Sequence, residues 1–210
     1  METDRTGIVT RHAYDSLRRL VKSEASLSSE IASNSVGRNL SKSVLRSGVR
    51  WREMRGMVRF RPNVAALVVD AEGKLLICER WNVPGAWQFP QGGVDAGETA
   101  REALVREVRE EIGLPKSAYR IVESRDGYRY LYPEEVRRRK VRKHGFHGQE
   151  QTYFLCRLEP GAPEINVDQK PREFGGFRWI DPADFSLEWV AGFKREVYRQ
   201  VMEEFFGVVL

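Results

Sequence analysis

The chain has 210 residues, 41% of them hydrophobic, with 35 Lys/Arg against 30 Asp/Glu and a formal charge of +5, which leaves room for one domain with a proper core plus an appendage. No apolar run is long enough to span a bilayer, so the expectation is a cytoplasmic chain with no membrane partner. Cys78 and Cys156 lie in apolar strand-like runs without paired or metal-ligand spacing, which excludes a disulfide framework and fits a reducing compartment with both thiols buried.

The charge is unevenly placed. Residues 1–57 hold 11 Lys/Arg and 6 Asp/Glu, and residues 58–210 hold 24 of each, so the whole excess belongs to the appendage. No DNA partner is expected of a body with zero net charge, and any general attraction to nucleic acid would come from the appendage or from local patches. The appendage is Ser- and Arg-rich ("SEASLSSEIASNS") with one weakly amphipathic stretch, "YDSLRRLVKS", and reads as disordered or partly helical. Glu2, Asp4 and Asp15 argue against a transit peptide, and a translation start at Met54 or Met57 is an equal alternative.

From residue 58 onward the pattern is that of a compact domain. Strands are predicted at 63–69 and 75–79, joined by a turn through Asp70 and Gly73, followed by the loop "NVPGAW". A helix opens after Thr99, which with Glu102 forms a capping box, and closes at Gly113, followed by Pro115. Further strands are predicted at 119–124, 128–132, 151–158 and 174–180, and the run "RRRKVRK" (137–143) reads as a solvated loop or a surface for a passing polyanion. Asp181 and Pro182 open a short helix. A final helix is expected over 187–206, its buried stripe formed by Val190, Phe193, Val197, Val201 and Phe205. Strands mixed with substantial helices predict an α/β (α+β) sandwich.

The helix after Thr99 carries the chemistry. A rotation of about 100° per residue puts Ala100, Ala103, Leu104, Val108 and Ile112 on the core side. Glu107 and Glu111 fall inside that arc and Glu110 at its edge, with Glu102, Arg106 and Arg109 directed away. A surface helix laced by Glu/Arg pairs is the ordinary reading of such a composition. Acids inside the buried arc, with no Lys or Arg on the same face, argue instead for a divalent cation, and oxygen-only ligands suit Mg²⁺ or Mn²⁺. The implied chemistry is metal-assisted transfer of phosphate to water.

Gly92, Glu98, Arg106, Glu107, Val108, Glu110, Glu111, Gly113 and Leu114 match the Nudix box, G-x5-E-x7-R-E-U-x-E-E-x-G-U with U aliphatic, at every fixed position. With "RPNVAALVV", "WQFPQGG", "HGQEQTYFL", "EIN", "EFGGFRW" and "FKREVY", the chain over about 58–207 resembles the Nudix subgroup of bacterial RNA pyrophosphohydrolases and dinucleoside polyphosphate hydrolases. The resemblance implies an α/β/α sandwich with a mixed sheet between helices. It further implies a metal held by Glu107, Glu110, Glu111, the Gly92 carbonyl and Glu173, with Glu173 as ligand or general base. Glu98 would pair with Arg106 to tie loop to helix, and Gly113 would close the box helix.

By the same resemblance, Arg61, Arg80, Tyr130, Gln149, Phe193 and Lys194 are candidate substrate-binding residues. For Glu173 a solvated loop acid, and for Phe193 ordinary helix packing, remain equal alternatives. The substrate expected first is 5′-triphosphorylated RNA, with a dinucleoside polyphosphate as alternative, because "RWNVPGAWQFPQGG" and the small Ala191 and Gly192 lean toward the second group. A nucleotide-binding sensor without turnover would be expected to lack a box acid, and none is missing.

Overall fold

A computed structural model describes residues 58–210; the expectations for residues 1–57 lie outside the described residues. Strand β1 (Phe60–Val69) is an unbroken apolar run from Val64 onward, where both of its faces are covered. Val64, Ala66 and Val68 pack against helix α1 (Ala100–Ile112) through Ala103, Leu104, Val108 and Ile112. Ala65, Leu67 and Val69 face helix α3 (Arg195–Phe206) through Val197, Tyr198, Val201 and Met202. Side chains that alternate across a pleated strand thus feed two separate cores, and the expected α/β/α sandwich follows.

The other strands are β2 (Leu75–Arg80), β3 (Trp87–Gln88), β4 (Gln91–Gly93), β5 (Tyr119–Leu131), β6 (Gly148–Leu158) and β7 (Phe174–Ile180). The sheet order is β3-β2-β1-β6-β5, with β4 pairing β1 and β7 pairing β2. The sheet is mixed: β1 and β6 run parallel from Phe60↔Gly148 to Val69↔Arg157, and the remaining pairs are antiparallel. Cys78 and Cys156 are both buried free thiols.

Three local expectations are corrected. The segments 119–124 and 128–132 form one strand, β5, whose register slips between Ile121 and Glu123 and between Arg125 and Tyr128. Gly127, at φ +84°, absorbs the second irregularity inside the strand instead of turning the chain back. Residues 137–143 belong to a helix, α2 (Glu134–His144), which starts after Pro133, has Glu134 and Glu135 in its first turn and basic residues in its last, and ends at Gly145 with φ +74°. It buries no residue, so it has no apolar stripe to betray it in the sequence.

The third correction concerns the final helix. It begins only at Arg195, preceded by single 3₁₀ turns at Leu187–Trp189 and Gly192–Lys194, because Val190 and Ala191 take extended ψ values of 138° and 132°. The break removes Phe193 from the buried stripe and leaves it 40% exposed.

Candidate active site

The box helix is fixed at both ends. Thr99 Oγ1 accepts from the Glu102 backbone N–H at 3.2 Å while Glu102 accepts from the Thr99 N–H at 2.9 Å, and Gly113 closes the helix at φ +74°. Such a cap contributes about 1 kcal/mol and, more to the point, sets the rotation of the helix about its axis. Glu111 is thereby driven into the interior, 5% exposed, whereas Glu107 is half-buried and Glu110 is exposed.

The loop opposite the helix is fixed by two devices. Phe89 is fully buried and stacks on Tyr198 of α3, ring centroids 5.0 Å apart. Two residues on, β4 pairs with the start of β1 in the register Asn63↔Gly93 and Val64↔Gly92. Underneath, the buried amide of Gln151 donates to Asn63 at 2.8 Å and to Gln91 at 2.9 Å, and Tyr153 donates to Gln151. The Gln91 N–H in turn donates to Glu111 Oε2 at 2.8 Å. None of Asn63, Gln91 or Gln151 was singled out from the sequence; the available signal was polar side chains embedded in strand runs that are otherwise apolar.

Both glycines of β4 leave room for the side-chain ends that lie on them. A Cβ at residue 92 would overlap the Glu107 carboxyl group, and one at residue 93 would overlap the Arg61 guanidinium. The loop therefore presents bare backbone with an acid on one face and a cation on the other.

Arg106 ties loop to helix. It donates to Glu98 Oε1 and Oε2 at 3.0 and 2.8 Å, to the Gly93 carbonyl at 2.8 Å, to Glu107 at 2.6 Å and to Glu110 at 3.3 Å. The hydrogen bond from Arg106 holds the Glu98 carboxyl below the usual carboxylate range. This corrects the expectation that Arg106 points away from the acids and that no cation shares their face: the side chain is long enough to fold back over Glu107.

Glu111 keeps one oxygen orphaned. Its Oε1 is buried without a hydrogen-bond partner, a situation that costs about 1–3 kcal/mol for a polar group and more for a charged one. Burial, followed by repulsion from Glu173, raises its pKa well above the ordinary carboxylate value, against the opposing hydrogen bond from Gln91. Burial also raises Glu107, opposed by Arg106, with further upward pressure from Glu110 and Glu173. Glu173 thus acts electrostatically on both acids from the residue just before β7, where its carbonyl accepts from the Trp81 N–H at 2.9 Å.

An orphaned buried oxygen among mutually repelling carboxylates fits a hard divalent cation, with Glu107, Glu110, Glu111, Glu173 and the Gly92 carbonyl as the available donors. Among the described residues no group of three or more His, Cys, Asp or Glu side chains stands ready to hold a metal ion. Arg106 currently engages both Glu107 and Glu110.

Beside the acids lies a cleft of about 130 Å³ whose lining includes Arg80, Trp87, Phe193, Lys194 and Tyr198. The Phe193 ring lies against Tyr130, centroids 5.5 Å apart, and Lys194 Nζ is 5.5 Å from the Tyr130 centroid. Gln149 accepts a hydrogen bond from the Tyr130 hydroxyl. Burial and the nearby Arg80 pull the Lys194 ammonium down to about 8, against the opposing charge of Glu111. Five predicted contact residues are gathered here, and Arg61 stands over Gly93 at the other end of the acidic loop. The expected packing of Phe193 within a helix stripe is corrected, since its ring is exposed beside this cleft. A larger cleft of about 640 Å³ lies on the outer side of α1 among the stems of Arg101, Arg106 and Arg109, and it does not face Glu107 or Glu111.

The α/β/α fold and the acid-bearing helix together define a hydrolase of phosphoanhydrides. Residues 59–201 match the NUDIX domain, and the chain belongs to the Nudix hydrolase family. It is 40% identical over 151 residues to the RNA pyrophosphohydrolase of a Nitratiruptor species, covering 70% of this chain and 94% of that protein. It is 43% identical over 152 residues to the RNA pyrophosphohydrolase of Halorhodospira halophila, covering 70% and 81%. In fold it is similar to the E. coli dihydroneopterin triphosphate pyrophosphohydrolase, with a TM-score of 0.51 at 21% identity over 71% of this chain and 97% of that one.

Proposed function

We propose that residues 58–210 form an RNA 5′-pyrophosphohydrolase that releases pyrophosphate from 5′-triphosphorylated RNA, with Mg²⁺ or Mn²⁺ held by Glu107, Glu110, Glu111, Glu173 and the Gly92 carbonyl. The observation that carries this reading is the orphaned, buried Oε1 of Glu111 beside Glu107 and Glu173, next to a cleft of cations and aromatic rings. A bound divalent cation supplies charge neutralisation for the polyphosphate and lowers the pKa of an attacking water. The protein's own contribution is placement. Arg80 and Lys194 offer positive charge to the phosphate chain. Phe193 and Tyr130 offer ring surface to the first base. Glu173, exposed at the mouth, is placed to orient or deprotonate water.

The curated relatives at about 40% identity support RNA as substrate. A dinucleoside polyphosphate is the second reading, favoured by the open space at Gly192, where an added Cβ would meet nothing within 4 Å beside Phe193. The experiment compares triphosphorylated RNA with diadenosine tetraphosphate at equal concentration in Mg²⁺ and separates the products. Pyrophosphate from RNA supports the first reading, ATP plus AMP supports the second, and turnover of neither removes both.

A further inference from the structure

Helix α2 is held by its caps and surface pairs and not by a buried stripe. It buries no residue, and Glu134 neutralises only Arg137 and Arg138, at 3.1 and 2.8 Å. Among the described residues Arg139, Lys140, Arg142 and Lys143 form no salt bridge, so four like charges crowd about one turn with no carboxylate paired to them. The C-terminal half of this helix is placed by the sheet: β6 follows it directly, and its parallel pairing with β1 sets Gln149 beside Arg61.

The result is a basic channel made of two hollows that share Lys140 and His144 as walls. A cleft of about 210 Å³ is lined by Arg61, Tyr132, Lys140, His144 and Phe146. A second hollow of about 300 Å³, lined by Arg139, Lys140, Lys143 and His144, shares two of those residues and continues along the helix. Arg59 adds a further cation, its guanidinium carbon 5.2 Å from the Phe146 ring centroid. One end of the channel is the Arg61 guanidinium, which lies over Gly93 on the sheet face opposite to that of Glu107 over Gly92, with its charge acting on the Tyr130 hydroxyl. No lining residue is acidic.

We infer that this channel is the track for the phosphodiester backbone of the RNA downstream of its triphosphate end, a subsite distinct from the cleft of Arg80, Phe193 and Lys194. The inference rests on the RNA reading above. A positively charged groove that starts at Arg61, near the Tyr130 ring on which Phe193 and Lys194 lie, and carries aromatic side chains is the arrangement that follows a single strand without reading its sequence. A dinucleoside polyphosphate, whose charge is confined to its central phosphates, reaches the acids without extending along α2. The channel therefore gives long RNA an advantage in binding and gives a small nucleotide none.

The test uses the full chain with Arg139→Gln and Lys143→Gln together, both exposed and remote from the acids. Initial rates are measured on a triphosphorylated 20-mer RNA, a triphosphorylated dinucleotide and diadenosine tetraphosphate over a salt series. The expected result is a rise of about tenfold in KM for the 20-mer at low salt, with the slope of log KM against log salt reduced by about 1.4, the value for two lost phosphate contacts on a single strand. The two small substrates should be turned over as by wild type. Unchanged kinetics on the 20-mer, or equal losses on all three substrates, would overturn the inference. If wild type cleaves diadenosine tetraphosphate but neither triphosphorylated substrate, it is the RNA reading that has failed, which is a separate result.

Discussion

The carboxyl group of Glu107 occupies the space over the α-carbon of Gly92 in which any other residue would carry its Cβ. The group displaced by a methyl there is the far end of a flexible side chain, not backbone, so Gly92→Ala can be accommodated by swinging Glu107 aside. The expected outcome is a kcat lowered by roughly 100-fold with the thermal midpoint nearly unchanged. Calorimetric melting and steady-state rates on one preparation check it; a large loss of stability would mean that the loop itself had been displaced.

Glu111 links metal binding to stability. Its folded pKa is raised, so between the ordinary carboxylate value and that raised value the folded state holds more protons than the unfolded one, and stability falls as pH rises through the window. The metal-free protein should therefore lose thermal stability from about pH 5 upward, and Glu111→Gln should reduce that loss. Addition of Mg²⁺ at about pH 8 should raise the midpoint of wild type but not of Glu111→Gln, as ligand linkage requires. Differential scanning fluorimetry with and without chelator reads both effects.

Lys194 has the opposite sign. Its folded pKa of about 8 lies below the unfolded value of 10.5, so its burial penalty is fully present below pH 8 and is relieved as pH rises toward 10.5. Lys194→Met is expected to raise the thermal midpoint by roughly 2–6 °C near neutral pH, a gap that narrows as the solution becomes alkaline. The same substitution should raise KM for a polyphosphate substrate, because a cation at the phosphate cleft is lost.

Glu110 is exposed and, among the described residues, engaged only by Arg106, at 3.3 Å. Replacing it with Gln removes one negative oxygen without disturbing the core. Hydrolysis should fall by about 10²–10³-fold, the scale of a lost electrostatic contribution to the transition state, while nucleotide binding and melting stay close to wild type. Isothermal titration with a non-hydrolysable nucleotide separates the two; loss of binding along with turnover would point to a substrate contact.

The described domain holds every candidate site residue. Deletion of residues 1–53 should leave turnover of diadenosine tetraphosphate or a triphosphorylated dinucleotide unchanged. A truncated protein that folds yet loses this activity would show that the appendage completes the site.

Local chemistry, whose range is a few residues, was legible in the chain read alone. Thr99 with Glu102, and Gly113 with Pro115, delimited α1 correctly because caps act within one turn. Placement of Glu111 inside the apolar arc followed from helical rotation. The apolar run at 63–69 was enough to announce a strand, now seen within β1. The box spacing marked Glu98 and Arg106 as partners, since loop and helix are adjacent in the chain.

The remaining outcomes depend on groups distant in sequence and emerged only from the folded arrangement. Arg106 folds back over Glu107, which a rotation angle measured at Cβ does not reveal for so long a side chain. The break at Val190 and Ala191 that frees Phe193 is set by packing around Val190 and Phe185, against a local pattern that favoured one long helix. Helix α2 lacks an apolar stripe, so periodicity had nothing to detect, and its meeting with Arg61 depends on β1 and β6 pairing across 88 residues. The buried Gln151–Asn63–Gln91 bridge that steadies Gly92 likewise joins three strands, and a hydrogen bond between strands leaves no periodic signature in any one of them.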